Sequence, residues 1–135
     1  LILRDRVPRA EYLAAFAEAD IALDPFPCNG GTTTCDALWM GLPVVALAGD
    51  RFLSRASLSV LTAAGCAHFA AADEAAYIDR CVAFARDLPA LAAERAALRP
   101  RLAGSPLMDA VGFTRDVEAA YRTMWAGWCA GEAGG

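Results

Sequence analysis

Lysine is absent from the sequence, and all 12 basic side chains are arginines. With 16 acidic side chains, the net charge is −4 at pH 7 and the sequence pI is near 4.9. Surfaces that bind nucleic acid are usually basic, so this balance argues against a nucleic-acid partner. We attribute the exclusive use of arginine to base composition rather than to chemistry.

Long apolar runs are also missing. No stretch approaches the roughly 18 consecutive apolar residues of a membrane-spanning helix, and the apolar run at 42–48 has the length of a strand. No secretory signal pattern begins the sequence. We therefore expect no membrane partner.

Histidine and paired cysteines are scarce. His68 is the only histidine, and the cysteines are five, an odd number without a short paired spacing: Cys28, Cys35, Cys66, Cys81 and Cys129. Unpaired cysteines suit a reducing compartment, and a lone histidine does not complete the usual ligand set of a zinc site. We therefore expect a cytoplasmic protein with no metal site and no cofactor.

Apolar residues, in contrast, are abundant enough for one packed domain. They make up 57% of the 135 residues, which is ample for a core of this size. We expect one lobe over residues 1–128 and a disordered, glycine-rich tail over residues 129–135. No helical repeat of 34 residues is present.

Short apolar runs alternate with helical patterns along the chain, which is typical of a parallel sheet covered by helices. The predicted strands are residues 1–3, 21–23, 44–47 and 67–69. The predicted helices are residues 9–19, 32–40 and 54–64, one capped by Asp73, one from Pro89 to just before Pro100, and one over 113–128. The pattern predicts an α/β fold that is half of a doubly wound sheet rather than a whole one.

The strand at 21–23 passes into the helix at Thr32 through a glycine pair, Gly30 and Gly31. A helix that begins at the carboxyl end of a strand presents unpaired N–H groups and the positive end of its dipole, and both favour a phosphate. The glycines would let the ligand approach the backbone closely, and Thr32 and Thr33 would add hydroxyl donors. The sequence thus predicts a phosphate site at this helix start.

Asp36 lies one turn after Thr32 on the same face of the predicted helix. Its carboxylate could accept hydrogen bonds from the hydroxyls of a ribose attached to the phosphate. A purely structural interpretation also fits these residues. Threonine is a common helix cap, glycine pairs are common in loops, and a carboxylate near a helix start balances the dipole. A glycine pair lacks the specificity of a full P-loop, so the residues alone leave both interpretations open.

The segment over residues 24–43, with the sequence DPFPCNGGTTTCDALWMGLP, closely resembles the donor-site segment of the O-GlcNAc transferase family. These SPINDLY-like glycosyltransferases usually carry tetratricopeptide repeats. The resemblance extends from Leu1 to about Trp125. It implies the GT-B arrangement, in which two Rossmann-like lobes face each other across a cleft and the C-terminal lobe binds the UDP-sugar. The chain would be an N-terminally truncated C-terminal lobe with about four parallel strands.

The resemblance also implies roles for individual residues in the helix and its loop. Thr32 and Thr33, with Gly30 and Gly31 before them, match the positions that hold the diphosphate. Asp36 matches the carboxylate that binds the ribose.

A second group of matching residues precedes the first predicted helix or lies within it. Val7 matches a backbone contact to uracil, Arg9 matches a basic side chain that reaches the ribose, and Tyr12 stands where a histidine often stacks on uracil. An aromatic ring can stack in the same way. Three positions depart from the family pattern: Gly31 replaces a histidine of the animal enzymes, Arg9 replaces a lysine, and Ala15 replaces a base-contacting arginine.

The function that the resemblance implies is transfer of N-acetylglucosamine from UDP-GlcNAc to a Ser or Thr hydroxyl of a protein, with inversion at the anomeric carbon. The family's leaving-group lysine and its acceptor-binding residues belong to segments before Leu1, so we assign no catalytic residue here. The implied partners are the UDP-sugar, an acceptor protein, the missing N-terminal catalytic lobe and tetratricopeptide repeats. Two alternatives stay open. The chain could be a nucleotide-binding or scaffold lobe without catalysis, or part of another GT-B enzyme such as a UDP-sugar epimerase or an N-glycosyltransferase.

Overall fold

The computed structural model describes residues 2–131, and within them the chain forms a three-stranded sheet surrounded by six α-helices. The strands are β1 (Ala22–Leu23), β2 (Val44–Leu47) and β3 (Ala70–Ala71). The helices are α1 (Arg9–Ala15), α2 (Thr32–Trp39), α3 (Ala56–Ala63), α4 (Glu74–Arg86), α5 (Leu88–Ala103) and α6 (Ala110–Cys129).

The sheet is parallel throughout, in the order β1-β2-β3. Ala22 pairs with Val44 at one side of β2, and Ala46 pairs with Ala70 at the other. Val45, in the central strand, has no exposed surface, as expected for a parallel sheet that is covered on both faces. The predicted α/β class is therefore confirmed.

The core lies between the central strand and the surrounding helices. Its largest side chains come from four different elements: Leu38 of α2, Leu61 of α3, Phe69 before β3 and Leu98 of α5. Gly41 follows the C-cap of α2 and has a φ of 77°, a conformation that glycine adopts without steric cost. This turn returns the chain to β2 and fixes α2 against the sheet.

The strand predicted at residues 1–3 is wrong for the residues that the structure describes. Ile2 and Leu3 belong to no strand and are 84% and 85% exposed, and Leu1 lies outside the described residues. A strand gains its backbone hydrogen bonds from a neighbour, and neither residue has one in residues 2–131. Ile2 and Leu3 therefore do not form a strand, although they are apolar. The sheet has three described strands rather than about four.

The strand predicted at 67–69 is also wrong in position. These residues form a 3-10 turn, in which the Phe69 N–H donates to the Cys66 carbonyl at 2.9 Å. The turn directs the Phe69 ring into the core, where its centroid lies 5.4 Å from that of Phe84. Pairing with β2 begins one residue later, at Ala70.

Helix α5 continues past Pro100, although we predicted that it would end before this proline. A proline inside a helix costs about 3 kcal/mol. Continuation buries Leu102, and burial of a leucine side chain returns about 1.5–3 kcal/mol. Arg101, in the same turn, also forms an ion pair with Glu94.

The last helix begins three residues earlier than predicted, because the Asp109 carboxylate accepts a hydrogen bond from the Gly112 N–H at 2.9 Å and caps it. It ends at Cys129, which we had placed in a disordered tail. Residues 132–135 of that tail lie outside the described residues. In residues 2–131 no helix has both the length and the apolar character to cross a membrane.

Substitution of Phe69 by alanine tests the packing of the core. The side chain is fully buried, so Phe69→Ala should lower the free energy of unfolding by about 3–5 kcal/mol. Phe52 is a matched control, since it also lies in a 3-10 turn but is 87% exposed. Phe52→Ala should change stability by less than about 0.5 kcal/mol. Chemical denaturation measures both values, and equal losses would contradict this description of the core.

Candidate functional site

The start of α2 lies at the sheet edge where β1 and β2 end. The loop between β1 and α2 is tied to the segment after β2 by Asn29, whose N–H donates to the Leu53 carbonyl at 3.0 Å. The Asn29 side chain also donates to the carbonyls of Pro25 and Leu47, the latter being the last residue of β2. These bonds hold the loop over the carboxyl edge of the sheet, where ligands bind in open α/β folds.

Within residues 2–131, no side chain caps the N-terminus of α2. Its N-cap is Gly31, which has no side-chain acceptor, and its first turn contains no acidic residue. The N–H groups of the first turn of a helix have no acceptor inside the helix. Thr32 and Thr33 are exposed, so the start of the helix is accessible to an anion.

The two glycines before the helix differ in their surroundings. A Cβ on Gly31 would meet no atom of the described residues within 4 Å, and Gly31 is exposed. A Cβ on Gly30 would lie 2.6 Å from the hydroxyl oxygens of both Thr33 and Thr34. We expected both glycines to make room for a ligand, but the space beside Gly30 is occupied by the chain itself.

The predicted ribose carboxylate is joined to the predicted basic residue across the site. Arg9, at the start of α1, donates from Nη2 to Asp36 Oδ1 of α2 at 3.1 Å. The side chain of Asp36 is only 15% exposed, whereas that of Arg9 is 69% exposed. The contact therefore brings together two residues from different helices that the sequence analysis assigned to the same sugar.

Tyr12 lies one turn beyond Arg9 and faces the same carboxylate. Burial raises the pKa of its hydroxyl, and the nearby negative charge of Asp36 raises it further. The Tyr12 ring meets Phe16 edge to face, with 5.1 Å between the centroids. Val7 and Tyr12 both line an open hollow of about 370 Å³ together with Arg9.

Three buried polar residues beneath the loop were missed by the sequence analysis. Asp24 accepts a hydrogen bond from the Gly30 N–H at 2.9 Å. The hydroxyls of Thr34 and Ser57 lie 2.9 Å apart, and Ser57 donates to the Gly30 carbonyl at 3.0 Å. Asp24 could have been found as the first polar residue after β1, but nothing in the sequence indicates that Ser57 reaches this loop.

The part of the chain that the structure describes contains no cluster of three or more His, Cys, Asp or Glu side chains arranged for a metal ion. The single histidine, His68, lies 3.7 Å from the Glu94 carboxylate. The five cysteines form no disulfide.

Comparison with known proteins finds one matching family model, described as glycosyl transferase family 41, over residues 1–117. The chain is 40% identical over 122 residues to an Arabidopsis thaliana protein named probable UDP-N-acetylglucosamine–peptide N-acetylglucosaminyltransferase SPINDLY. That match covers 90% of this chain and 13% of the relative. A second Arabidopsis protein with the same enzyme name, designated SEC, is 30% identical over 133 residues, which cover 98% of this chain and 14% of the relative.

The fold is similar to that of a solved structure, a mutant O-GlcNAc transferase from Thermobaculum terrenum. The TM-score is 0.85 at 40% sequence identity, and the match covers 94% of this chain and 24% of that one. This likeness confirms the Rossmann-like half-domain of the GT-B type that we predicted. The chain thus spans about a quarter of the solved relative and about an eighth of the curated ones. Since the family model extends from residue 1 to residue 117 of 135, the chain belongs to glycosyl transferase family 41.

Proposed function

We propose that this chain is the UDP-sugar-binding part of an inverting glycosyltransferase that transfers N-acetylglucosamine from UDP-GlcNAc to Ser or Thr hydroxyls of proteins. The names of the relatives, which are UDP-N-acetylglucosamine–peptide N-acetylglucosaminyltransferases, support this donor and a peptide acceptor. The other catalytic lobe, tetratricopeptide repeats and a cytoplasmic location belong to the same proposal.

The observation that supports the proposal most strongly is the uncapped start of α2 beside the contact between Arg9 and Asp36. An uncapped N-terminus with exposed hydroxyls suits a diphosphate, because both the dipole and the N–H groups favour negative charge. A carboxylate one turn along the same helix suits the ribose that follows the diphosphate. The two features lie at one edge of the sheet. A nucleoside diphosphate could therefore place its phosphates at the helix start and its ribose at Asp36.

The nucleoside would extend from the diphosphate toward Val7, Arg9 and Tyr12. Arg9 is largely exposed whereas Asp36 is not, so water can solvate the Arg9 guanidinium if it moves away, and the carboxylate then needs another donor. Ribose hydroxyls could therefore replace Arg9 on Asp36, or share the carboxylate with it, at small cost. The backbone of Val7 and the free side of the Tyr12 ring would then contact the base.

The chemical step would be displacement at the anomeric carbon by an acceptor hydroxyl, with UDP as the leaving group. Negative charge grows on the diphosphate as the bond breaks. N–H and hydroxyl donors at Thr32 and Thr33 that are already in place would stabilise this charge more in the transition state than in the ground state. By analogy with an oxyanion hole, loss of one such donor should reduce kcat about 100-fold.

Substitution of the two threonines tests the diphosphate site in the full-length protein that contains this chain. Thr32→Ala and Thr33→Ala should each weaken binding of UDP and hardly change binding of uridine, which lacks the phosphates. Calorimetric titration with both ligands measures the difference. Thr62→Ala is a matched control, because Thr62 is exposed on α3 and its hydroxyl donates to its own helix. Equal weakening of UDP and uridine would contradict the assignment.

Asp36→Asn tests the ribose assignment in the same protein. Loss of a hydrogen bond to a charged group should weaken UDP binding by about 1–3 kcal/mol, while the melting temperature stays nearly unchanged. Asp20→Asn is the control, because Asp20 also pairs with an arginine, Arg95, at 2.8 Å and is not part of the site. If Asp36 only balances the helix dipole, the substitution will lower stability by a few tenths to about 1 kcal/mol and leave UDP affinity unchanged.

The 135-residue chain by itself should show no transfer of sugar from UDP-GlcNAc to a peptide, because it spans only 24% of the solved relative. An assay with radiolabelled donor checks this, with the full-length protein as the positive control. Sugar transfer by the isolated chain would refute the assignment of the remaining catalytic groups to other segments. A full-length protein that binds UDP without transfer would favour the scaffold alternative.

A further inference from the structure

Gly30 is held from two sides by buried side chains. Its N–H donates to Asp24 Oδ1 at 2.9 Å, and its carbonyl accepts from Ser57 Oγ at 3.0 Å. Asp24 and Ser57 are both buried and come from different parts of the fold, the end of β1 and helix α3. The two peptide groups that meet at Gly30 are therefore both fixed by the protein interior.

The hydroxyl of Ser57 is itself positioned by Thr34. A serine hydroxyl has only one hydrogen to donate, and Ser57 gives it to the Gly30 carbonyl. In the contact of 2.9 Å between the two hydroxyls, Thr34 must therefore be the donor. The two hydroxyls thus form a relay from Thr34 through Ser57 to the Gly30 carbonyl. Thr34 is buried in the first turn of α2, so it is not exposed to a ligand as Thr32 and Thr33 are.

The relay determines the direction of the next N–H group along the chain. The Gly30 carbonyl and the Gly31 N–H belong to one planar, trans peptide group, in which they point in opposite directions. Because Ser57 holds the carbonyl toward the interior, the Gly31 N–H points away from Ser57. Gly31 is exposed, and within residues 2–131 its N–H donates to no protein acceptor.

The same contacts fix the position of the helix start. The hydroxyl oxygens of Thr33 and Thr34 lie 2.6 Å from the position that a Cβ on Gly30 would take, so the loop packs directly on the first turn of α2. The Gly31 carbonyl accepts the first bond of the helix, from the Cys35 N–H at 3.1 Å. A change in the orientation of the peptide between Gly30 and Gly31 would therefore displace the N–H groups that begin α2.

We propose that Ser57 and Thr34 are positioning residues for diphosphate binding, because their hydroxyl relay aims the Gly31 N–H and the first turn of α2 at the phosphates of the nucleotide. Neither residue touches the nucleotide. The inference rests on the proposed function, since it concerns the same diphosphate. Two buried side chains that do not contact the phosphates would thus determine how well the phosphates bind.

The test uses the full-length protein with the double substitution Ser57→Ala and Thr34→Val. Both hydroxyls are removed because the Thr34 hydroxyl, four residues after Gly30, could otherwise donate to the free carbonyl itself. Calorimetric titration should show UDP affinity lower by about 10- to 100-fold, the scale of one hydrogen bond to a charged group. Uridine affinity should change by no more than about twofold, because uridine has no phosphate and so makes no hydrogen bond to the start of α2 that the substitutions could weaken.

Controls separate this inference from a general loss of structure and from the proposed function. Ser59→Ala, an exposed serine of the same helix, should change neither affinity. If the double variant does not fold, Ser57→Ala alone should show the same preferential loss of UDP affinity, reduced to a few-fold. Unchanged UDP affinity, or an equal loss for UDP and uridine, would overturn the inference.

The threonine variants of the exposed first turn distinguish the two possible failures. If Thr32→Ala and Thr33→Ala weaken UDP binding and the relay variants do not, only the positioning role is wrong. If none of these variants affects UDP binding, or the unchanged protein does not bind UDP, the proposed function is wrong and the positioning role is rejected with it.

Discussion

The glycine loop between β1 and α2 is the constraint on which the candidate site depends. Gly30 has no room for a side chain, and its two peptide groups bond to buried residues on both sides. The parallel sheet supplies the support beneath it, since β1 and β2 end at the same edge and the loop bonds to the segment after β2. The start of α2 is thus fixed relative to the sheet before any ligand arrives, which lowers the entropy lost on binding.

An acidic chain is an unusual partner for a diphosphate, and the geometry explains how the two can be compatible. The net charge is −4, but exposed charges more than about 8–10 Å apart are largely screened at physiological salt. Hydrogen-bond donors close to the diphosphate therefore contribute more to its binding than the net charge of the chain does. The only cation among the predicted site residues, Arg9, is engaged with Asp36, so the proposed phosphate contacts depend on backbone N–H groups and threonine hydroxyls rather than on side-chain charge.

Local signals in the sequence were sufficient for the parts of the fold that they encode. The start of α2 at Thr32 and the turn at Gly41 were predicted correctly, because a glycine pair, a helical pattern and a following proline mark them within a few residues. The strand at 1–3 failed for the opposite reason, because its formation depends on a neighbouring strand that residues 2–131 do not provide. Helix α5 passes Pro100 because burial of Leu102 offsets the cost, and a local pattern does not show that burial.

The candidate site also contains residues that the sequence could predict and residues that it could not. The exposed residues of the site follow a recognisable motif, and the resemblance it carries agrees with the family shown by comparison. Ser57 reaches Gly30 across 27 positions of sequence, so only the folded structure could identify it. The most direct test of the account is a structure of the full-length protein with UDP. We predict diphosphate oxygens at about 2.7–3.2 Å from the N–H groups of Gly31 and Thr32. A diphosphate bound away from the start of α2 would contradict the account.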